Sequence, residues 1–218
     1  MKISVLIILC SHEMNPQYSE NIKILNDWFT QMSDISLNYC GISNTDDFHH
    51  YEDIISFTYK KINPKFQFSK ICDFISEMKS ELNYDWYIKI RPDMKLLEPI
   101  PFDILSDTAI NARARYYVGP KQIKYGTSVN GEGCWKDVMG YVYNINETEI
   151  IMDDMLFIFH QNVIKKGAFD PIIYTNTVEH EWVQTNIWKN RNIPLNIIGI
   201  NMQNTKYNTF SGHINMEI

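Results

Sequence analysis

The apolar run Ile3–Cys10, near the start of the chain, constrains the fold more than any other feature of the sequence. It is a nearly continuous series of β-branched residues and leucine, which is typical of a β-strand covered on both faces. Such strands occur in parallel sheets that have helices packed against both sides. The run is short for a secretion signal and no cleavage pattern of small residues follows it, so we interpret it as a buried first strand.

Apolar residues recur at helical spacing in two segments of the first half, and short apolar runs lie between and after them. The predicted helices are Ser19–Met32 and Ser69–Leu82, and the further predicted strands are Ser36–Ile42, Ile54–Tyr59 and Trp86–Ile90. Together with the first run, these segments give the order β-α-β-β-α-β. This order predicts an α/β fold with a mixed, mostly parallel central sheet and helices on both faces.

The second half of the chain is less regular. We predict strands at Ala112–Gly119 and Leu195–Ile200, and a helix at Glu179–Arg191. The segment Met152–Lys166 is predicted to form either a strand–turn–helix unit or a short helix. The glycine-rich segment Gly119–Gly133 is predicted to form an irregular loop.

Composition and charge exclude several classes of protein. Apolar residues make up 44% of the 218 residues, which is enough for a sizeable core. The net charge of −6 argues against a nucleic-acid-binding protein, although it leaves room for a local basic pocket around a phosphorylated ligand. No run of about 18 apolar residues is present, so no membrane span is predicted. The four cysteines are widely spaced, which favours reduced thiols and a cytoplasmic location.

The predicted strand Trp86–Ile90 ends on an unusual group of residues, Arg91, Pro92 and Asp93. In parallel sheets, ligands bind beyond the carboxyl ends of the central strands. One interpretation is a β-turn in which Pro92 restricts the backbone and Asp93 accepts hydrogen bonds from N–H groups of the turn. The other is a binding site in which Asp93 holds Mn²⁺ or Mg²⁺, which in turn neutralises a diphosphate. The residue types alone leave both interpretations open.

Several segments, in their order along the chain, resemble the GT-A nucleotide-sugar glycosyltransferases. Residues 85–100 (DWYIKIRPDMKLLEPI) look like the strand that ends in the D-x-D motif of that family, with Asp93 at the second aspartate and Arg91 in place of the first. Residues 151–158 (IMDDMLFI) resemble the acidic segment that faces the acceptor in such enzymes. Residues 177–199 resemble the helix and strand that close these domains.

The whole chain resembles the compact glycosyltransferase domains with which large DNA viruses of algae, the chloroviruses, build capsid-protein glycans. The resemblance implies one GT-A-like domain over residues 1–218, with a nucleotide-binding half at about 1–100 and an acceptor-side half at about 101–218. It also implies a metal-dependent hexosyltransferase whose donor is a UDP-type nucleotide sugar carrying a hexose or deoxyhexose such as rhamnose. The acceptor would be a glycan or glycoprotein, and the reaction would take place in the host-cell cytoplasm.

The same resemblance assigns roles to individual residues. Asp93 and His213 would bind the metal ion, and Arg91 would contact the ribose or a phosphate of the donor. Asp154 and Asp153 would supply the base that deprotonates the acceptor. The other candidates for the nucleotide and its diphosphate are Leu9, Ser11, His12, Lys60, Lys61, Lys65 and Lys206, and the reserve candidates for the base are Glu179 and Glu181.

Two other functions stay open on the sequence. One is a non-catalytic domain that binds a nucleotide sugar or a glycan and positions it for a partner, and the arginine at the first position of the motif, Arg91, favours it. The other is a metal-dependent hydrolase of nucleotide-diphosphate sugars. Product formed without any added acceptor would favour the hydrolase.

Overall fold

The structure, a computed structural model, describes residues 2–118, 148–172, 180–206 and 209–211. Its helices are α1 (Ser19–Thr30), α2 (Gln67–Met78), α3 (Gln161–Lys165) and α4 (His180–Asn190). Its strands are β1 (Ile3–Cys10), β2 (Ile35–Ser43), β3 (Phe57–Ile62), β4 (Trp86–Ile90), β5 (Met94–Leu96), β6 (Ile110–Val118), β7 (Thr148–His160), β8 (Leu195–Ile197), β9 (Met202–Asn204) and β10 (Thr209–Ser211). No helix within the described ranges is long and apolar enough to cross a bilayer.

Seven of these strands form one central sheet, in the order β3-β2-β1-β4-β7-β6-β8. All of them except β7 run in the same direction, because β7 is antiparallel to both of its neighbours while the other pairs are parallel. The strands β10, β9 and β5 form a second, small antiparallel sheet in that order. The prediction of an α/β fold with a mixed, mostly parallel central sheet is therefore confirmed.

The central sheet has a hydrophobic core on each face, as the apolar pattern of β1 requires. Alternate residues of β1 enter different cores, with Val5, Ile7 and Leu9 on one face and Leu6, Ile8 and Cys10 on the other. The first core contains apolar side chains of α1, and the second contains those of α2 and α4. Each fully buried Leu or Ile side chain contributes about 1.5–3 kcal/mol through removal from water. The prediction of helices on both faces is confirmed.

Several predicted boundaries need correction. The third strand is β3, three residues later than the predicted Ile54–Tyr59, so Lys60 and Lys61 lie in an edge strand rather than in the loop after it. Along β3 partly buried and exposed residues alternate, and lysine side chains at a sheet edge can reach water. The segment around Asp153 belongs to the long strand β7 with α3 after it, which is the strand-first alternative. The predicted loop Gly119–Gly133 lies outside the described residues.

The order of the strands reverses between β1 and β4. The chain passes from β1 to β2 on one side of the sheet, whereas β4 lies on the other side of β1. Open α/β sheets bind ligands at such a reversal, beyond the carboxyl ends of the two strands. We call the carboxyl ends of β1 and β4 the switch edge. Strands from both halves of the chain share this sheet, and the division into a nucleotide-binding and an acceptor-side half stays a prediction.

Candidate functional site

Arg91, Pro92, Asp93 and Met94 form a β-turn directly after β4. The Met94 N–H donates to the Arg91 carbonyl at 3.1 Å, and the Arg91 N–H donates to the carbonyl of Met155 in β7 at 3.0 Å. The predicted turn is therefore confirmed, but the Asp93 carboxylate accepts from the Arg91 guanidinium and from Asn204 rather than from N–H groups of the turn. A turn at this point also brings the Arg91 and Asp93 side chains together at the tip of β4.

Arg91 and Asp93 form a two-pronged ion pair. The Arg91 guanidinium donates from Nε to Asp93 Oδ1 at 2.9 Å and from Nη2 to Asp93 Oδ2 at 2.6 Å. Burial alone would lower the pKa of Arg91. The hydrogen bonds and charge of Asp93, with smaller contributions from the charges of Asp154 and Asp153, outweigh burial, so the net effect is a raised pKa. The Arg91 side chain is 22% exposed and that of Asp93 only 3%. Because a guanidinium has five N–H donors, Arg91 keeps donors that can bind an anion at the surface.

The backbone of the turn is held in place from two directions. The Asp93 carbonyl accepts hydrogen bonds from the Thr205 N–H at 2.9 Å and the Thr205 hydroxyl at 3.0 Å. Asn21 of α1 donates from Nδ2 to the Pro92 carbonyl at 3.0 Å and to Thr205 Oγ1 at 2.7 Å. These contacts fix the backbone, and the ion pair with Asp93 fixes the guanidinium, before any ligand arrives. Less entropy is therefore lost on binding.

Two completely enclosed lysines lie near the carboxyl end of β1. Lys89 of β4 donates from Nζ to Gln67 Oε1 at 2.6 Å and also to the carbonyl of Asp154. Lys70, in the first turn of α2, donates from Nζ to the carbonyl of Ser11 at 2.5 Å. All three acceptors are neutral, and the ion pairs of the described residues include neither ammonium. Buried charges are normally paired because removal from water is costly, so these two lysines are unusual.

Electrostatic effects show that these charges act on the same small region. Burial lowers the pKa of Lys89, and Arg91 adds to the effect while Asp154 and Cys10 oppose it. Burial also lowers the pKa of Lys70, and Lys89 adds to it. Burial raises the pKa of the Cys10 thiol, which Lys89 and Lys70 pull back down. We call Lys70, Lys89 and Arg91 the cation cluster, and it surrounds the carboxyl end of β1.

A bulge in β7 lies against the cation cluster. Ala112 of β6 pairs with Phe157, but Ala114 pairs with Met152, so two steps along β6 (114 − 112) span five along β7 (157 − 152). The extra residues of β7 include Asp153 and Asp154. Bulges are common next to active sites because they change the direction of side chains. Carbonyls of the bulge accept hydrogen bonds from Lys89 and from the Arg91 N–H.

The two aspartates of the bulge differ in access to water. Asp153 is completely enclosed, its Oδ1 accepts the Met155 N–H at 2.8 Å, and its Oδ2 lies 3.9 Å from Nη1 of the buried Arg113. Asp154 is partly exposed. An enclosed carboxylate cannot touch an acceptor, so this placement argues against Asp153 as the base. Asp154 stays the candidate for that role.

The residues predicted from the end of β1 have different placements. The Leu9 side chain is enclosed in the core, so it supports the switch edge from below and does not line its surface. The Ser11 N–H donates to the Ile42 carbonyl at 3.0 Å, and its own carbonyl accepts from Lys70. His12 follows them and remains accessible to water, although its ring is partly buried. Burial of its ring lowers the pKa of His12, and the charges of Lys70 and Arg91 lower it further. The electrostatic field of the cation cluster therefore reaches His12.

The lysines predicted to meet a diphosphate are all ion-paired with nearby carboxylates. Lys65 lies 2.9 Å from Asp73 and Lys206 lies 3.3 Å from Glu13. The other two pairs are Lys60 with Glu52 and Lys61 with Glu77. These four lysines, of which Lys61 is partly buried, therefore carry less free charge than the enclosed lysines Lys70 and Lys89. The sequence patterns did not single out the two enclosed lysines.

The described residues do not fit a divalent cation at Asp93. Both oxygens of its carboxylate already accept hydrogen bonds from Arg91, and the described ranges contain no group of three or more His, Cys, Asp or Glu side chains that could hold a metal ion. The Arg91 guanidinium, which lies directly on the carboxylate, would also repel such an ion. His213 and Glu179 lie outside the described residues, as does the side chain of Glu181, so their predicted roles stay predictions.

A comparison with models of known protein families finds no match to this chain, and a comparison with curated proteins finds none either. The structure itself defines an α/β protein whose mostly parallel seven-stranded sheet is compatible with a Rossmann-like fold. In folds of that kind the reversal of strand order is the preferred ligand site, and the cation cluster lies at this position.

Proposed function

We propose that the protein is a GT-A-like glycosyltransferase. It moves a hexose or deoxyhexose, such as rhamnose, from a UDP-type nucleotide sugar to a glycan or glycoprotein acceptor, and the sequence resemblance implies a role in viral capsid glycoprotein synthesis. The observation that supports it is the cation cluster at the switch edge, next to the bulge that carries Asp154. The reaction needs positive charge to stabilise the anionic leaving group and a base to accept the proton of the acceptor. The cation cluster can supply the first and Asp154 the second.

The donor diphosphate would bind at the switch edge. Arg91 presents its remaining N–H donors to a phosphate, since a guanidinium matches the geometry of phosphate oxygens. Positive charge fixed at this position stabilises the negative charge that develops as the nucleoside diphosphate leaves. Mn²⁺ or Mg²⁺, implied by the sequence resemblance, would supply the same neutralisation, but the described residues do not fit it and the chemistry here does not depend on it.

The acceptor would be activated by Asp154. In an inverting reaction, the acceptor oxygen attacks the anomeric carbon, the bond from that carbon to the diphosphate breaks, and the hydroxyl proton passes to the Asp154 carboxylate. The sugar passes through a state with oxocarbenium character. Asp154 is partly exposed while its backbone carbonyl is held by Lys89, so the carboxylate can meet an acceptor without moving the strand.

A titration and a transfer assay test the proposal. UDP and GDP are titrated calorimetrically, and the nucleotide that binds is then supplied as its sugar conjugates with glycan acceptors. Asp154→Asn is expected to lower kcat by about 10²- to 10⁴-fold with donor binding unchanged, because general-base catalysis contributes an effect of this size. The control is Asp34→Asn, which changes an exposed carboxylate just before β2, at the opposite edge of the sheet. A wild-type protein that binds no nucleotide contradicts the proposal.

A non-catalytic nucleotide-sugar or glycan-binding domain is the second candidate. The pairing of both Asp93 oxygens with Arg91 favours it, because the carboxylate that the resemblance assigns to a metal ion is already engaged. Binding of a nucleotide sugar without turnover, unchanged in Asp154→Asn, would support this candidate over the enzyme. Release of free sugar without any acceptor would instead support a hydrolase.

A further inference from the structure

We infer that the protein binds the diphosphate of its donor with the cation cluster of Lys70, Lys89 and Arg91 in place of a divalent cation. This inference rests on the proposed function, because it concerns the donor site of that reaction. It differs from the metal-dependent reaction that the sequence resemblance implies. Arg91 would touch the phosphates, and the two enclosed ammonium groups would act on them through their field.

Among the described residues, the charges around the switch edge carry a net positive charge. Arg91 is balanced by Asp93, to which it donates two hydrogen bonds. Within the described residues, the two enclosed ammonium groups, Lys70 and Lys89, donate to neutral oxygens, and Asp154 is the carboxylate whose charge acts most strongly on Lys89. Two ammonium groups against the one Asp154 carboxylate leave one net positive charge (2 − 1), which attracts a diphosphate diester and offsets part of its two negative charges.

A divalent cation would compete with the arrangement that is present. It would have to displace the Arg91 fork from Asp93 and then lie beside the cation cluster. The positive charge that repels a metal ion attracts a diphosphate. Both effects are strong here because the interior of a protein screens charges less than water does. Lys70 also lies in the first turn of α2, so the positive end of this twelve-residue helix faces the same region.

A purely structural role for the two lysines makes a different prediction. Lys89 connects β4 with α2 through Gln67 and with the β7 bulge through the Asp154 carbonyl, and Lys70 connects α2 with Ser11. If these contacts only hold the fold, replacement by methionine lowers stability and changes the affinity for all ligands together. If the charges serve a diphosphate, replacement changes the affinity for the diphosphate alone.

The test is calorimetric titration of wild type, Lys70→Met and Lys89→Met with UDP and with uridine, each in EDTA and in excess Mn²⁺. We expect UDP to bind wild type equally in both conditions, within about twofold. Each methionine variant is expected to weaken UDP binding by about tenfold, because it removes a charge that acts on the phosphates without touching them, and to leave uridine binding within about twofold. The matched control is Lys79→Met, which removes an exposed lysine just beyond the other end of α2.

The outcomes separate the inference from the proposed function. UDP that binds only with Mn²⁺, or that binds both methionine variants as tightly as wild type, overturns the inference and leaves the glycosyltransferase proposal in place. Equal losses of UDP and uridine affinity assign the lysines a structural role and also overturn it. A wild-type protein that binds neither ligand under either condition rejects the donor site itself. The metal comparison needs only the wild type, so it decides even if one variant does not fold.

Discussion

Two groups of lysines in the described part of the chain differ in both burial and pairing. The four lysines that the sequence predicts at a diphosphate, Lys60, Lys61, Lys65 and Lys206, reach water and are each ion-paired with a carboxylate. Lys70 and Lys89 are enclosed and, among the described residues, donate to neutral oxygens. Exposed ion pairs contribute little to stability and little free charge, whereas an enclosed ammonium without a carboxylate lowers stability. The inferred diphosphate site would explain why charges that lower stability are enclosed at this position. The four ion pairs of the first group of lysines are Lys60–Glu52, Lys61–Glu77, Lys65–Asp73 and Lys206–Glu13.

The largest effect on stability is expected from Asp93→Ala. The substitution leaves the mostly buried Arg91 guanidinium without its counter-charge, and loss of one partner of a buried pair costs about 3–5 kcal/mol. We expect about 3 kcal/mol, the lower end, because Arg91 keeps some contact with water. Urea unfolding measures the difference. A loss below about 1 kcal/mol would mean that Arg91 is solvated well enough to need no partner, and would place this pair with the exposed ones.

A smaller effect of opposite direction is expected from Lys70→Met. The substitution removes an enclosed charge, which is often neutral or stabilising, and leaves one carbonyl, that of Ser11, without this donor. We expect the free energy of unfolding to rise by about 1 kcal/mol. Lys89→Met leaves two acceptors without their donor, and an unsatisfied buried acceptor costs about 1–3 kcal/mol. The free energy of unfolding should therefore rise less in Lys89→Met than in Lys70→Met. If Lys70→Met destabilises more than Lys89→Met does, the contrast between enclosed and exposed lysines loses its basis.

The pH dependence of stability sharpens the same comparison. Burial lowers the pKa of Lys89 in the folded protein, with a further contribution from Arg91 and opposition from Asp154, Cys10 and Asp153, whereas the unfolded value is near 10.5. Between the lowered pKa and 10.5 the unfolded chain binds more protons, so the stability of wild type relative to Lys89→Met rises with pH in that window. A tenfold difference in proton affinity between the two states corresponds to about 1.4 kcal/mol. Urea unfolding of both proteins from neutral to alkaline pH measures the difference, and a constant difference would contradict the lowered pKa.

Local patterns were sufficient to predict most of the fold. The apolar runs that became β1 and β4 have the predicted boundaries, because a strand covered on both faces leaves a continuous apolar signal that depends on no distant partner. Short strands such as β5 and β9 were not predicted. They pair with each other across more than a hundred residues of sequence, and three residues carry too little periodicity to indicate a strand.

The site was predictable only in part, for a similar reason. Arg91 and Asp93 were selected because they follow a strand, and the turn they form is local. The burial of Lys70 and Lys89 depends on how α2 and β7 pack against β4, which the sequence does not show directly. A signal was nevertheless present, since Lys89 is the one charged residue of the apolar strand β4, and Lys70 lies on the apolar side of α2. The separation of Asp153 from Asp154 depends on the register of β6 and β7, which no local pattern contains.

The smallest effect is expected at an exposed pair, Glu13 with Lys206. Their side chains are 46% and 42% exposed and lie 3.3 Å apart, so water and salt screen the attraction between them. Glu13→Gln should lower the free energy of unfolding by less than about 1 kcal/mol at low ionic strength. At about 1 M salt the difference should vanish, because the screening length is then about 3 Å. Urea unfolding at both ionic strengths measures this, and the Asp93→Ala difference, measured alongside, should persist in salt. If both differences vanish together, the Arg91–Asp93 pair is as well solvated as an exposed pair, and the guanidinium is not held ready for a phosphate.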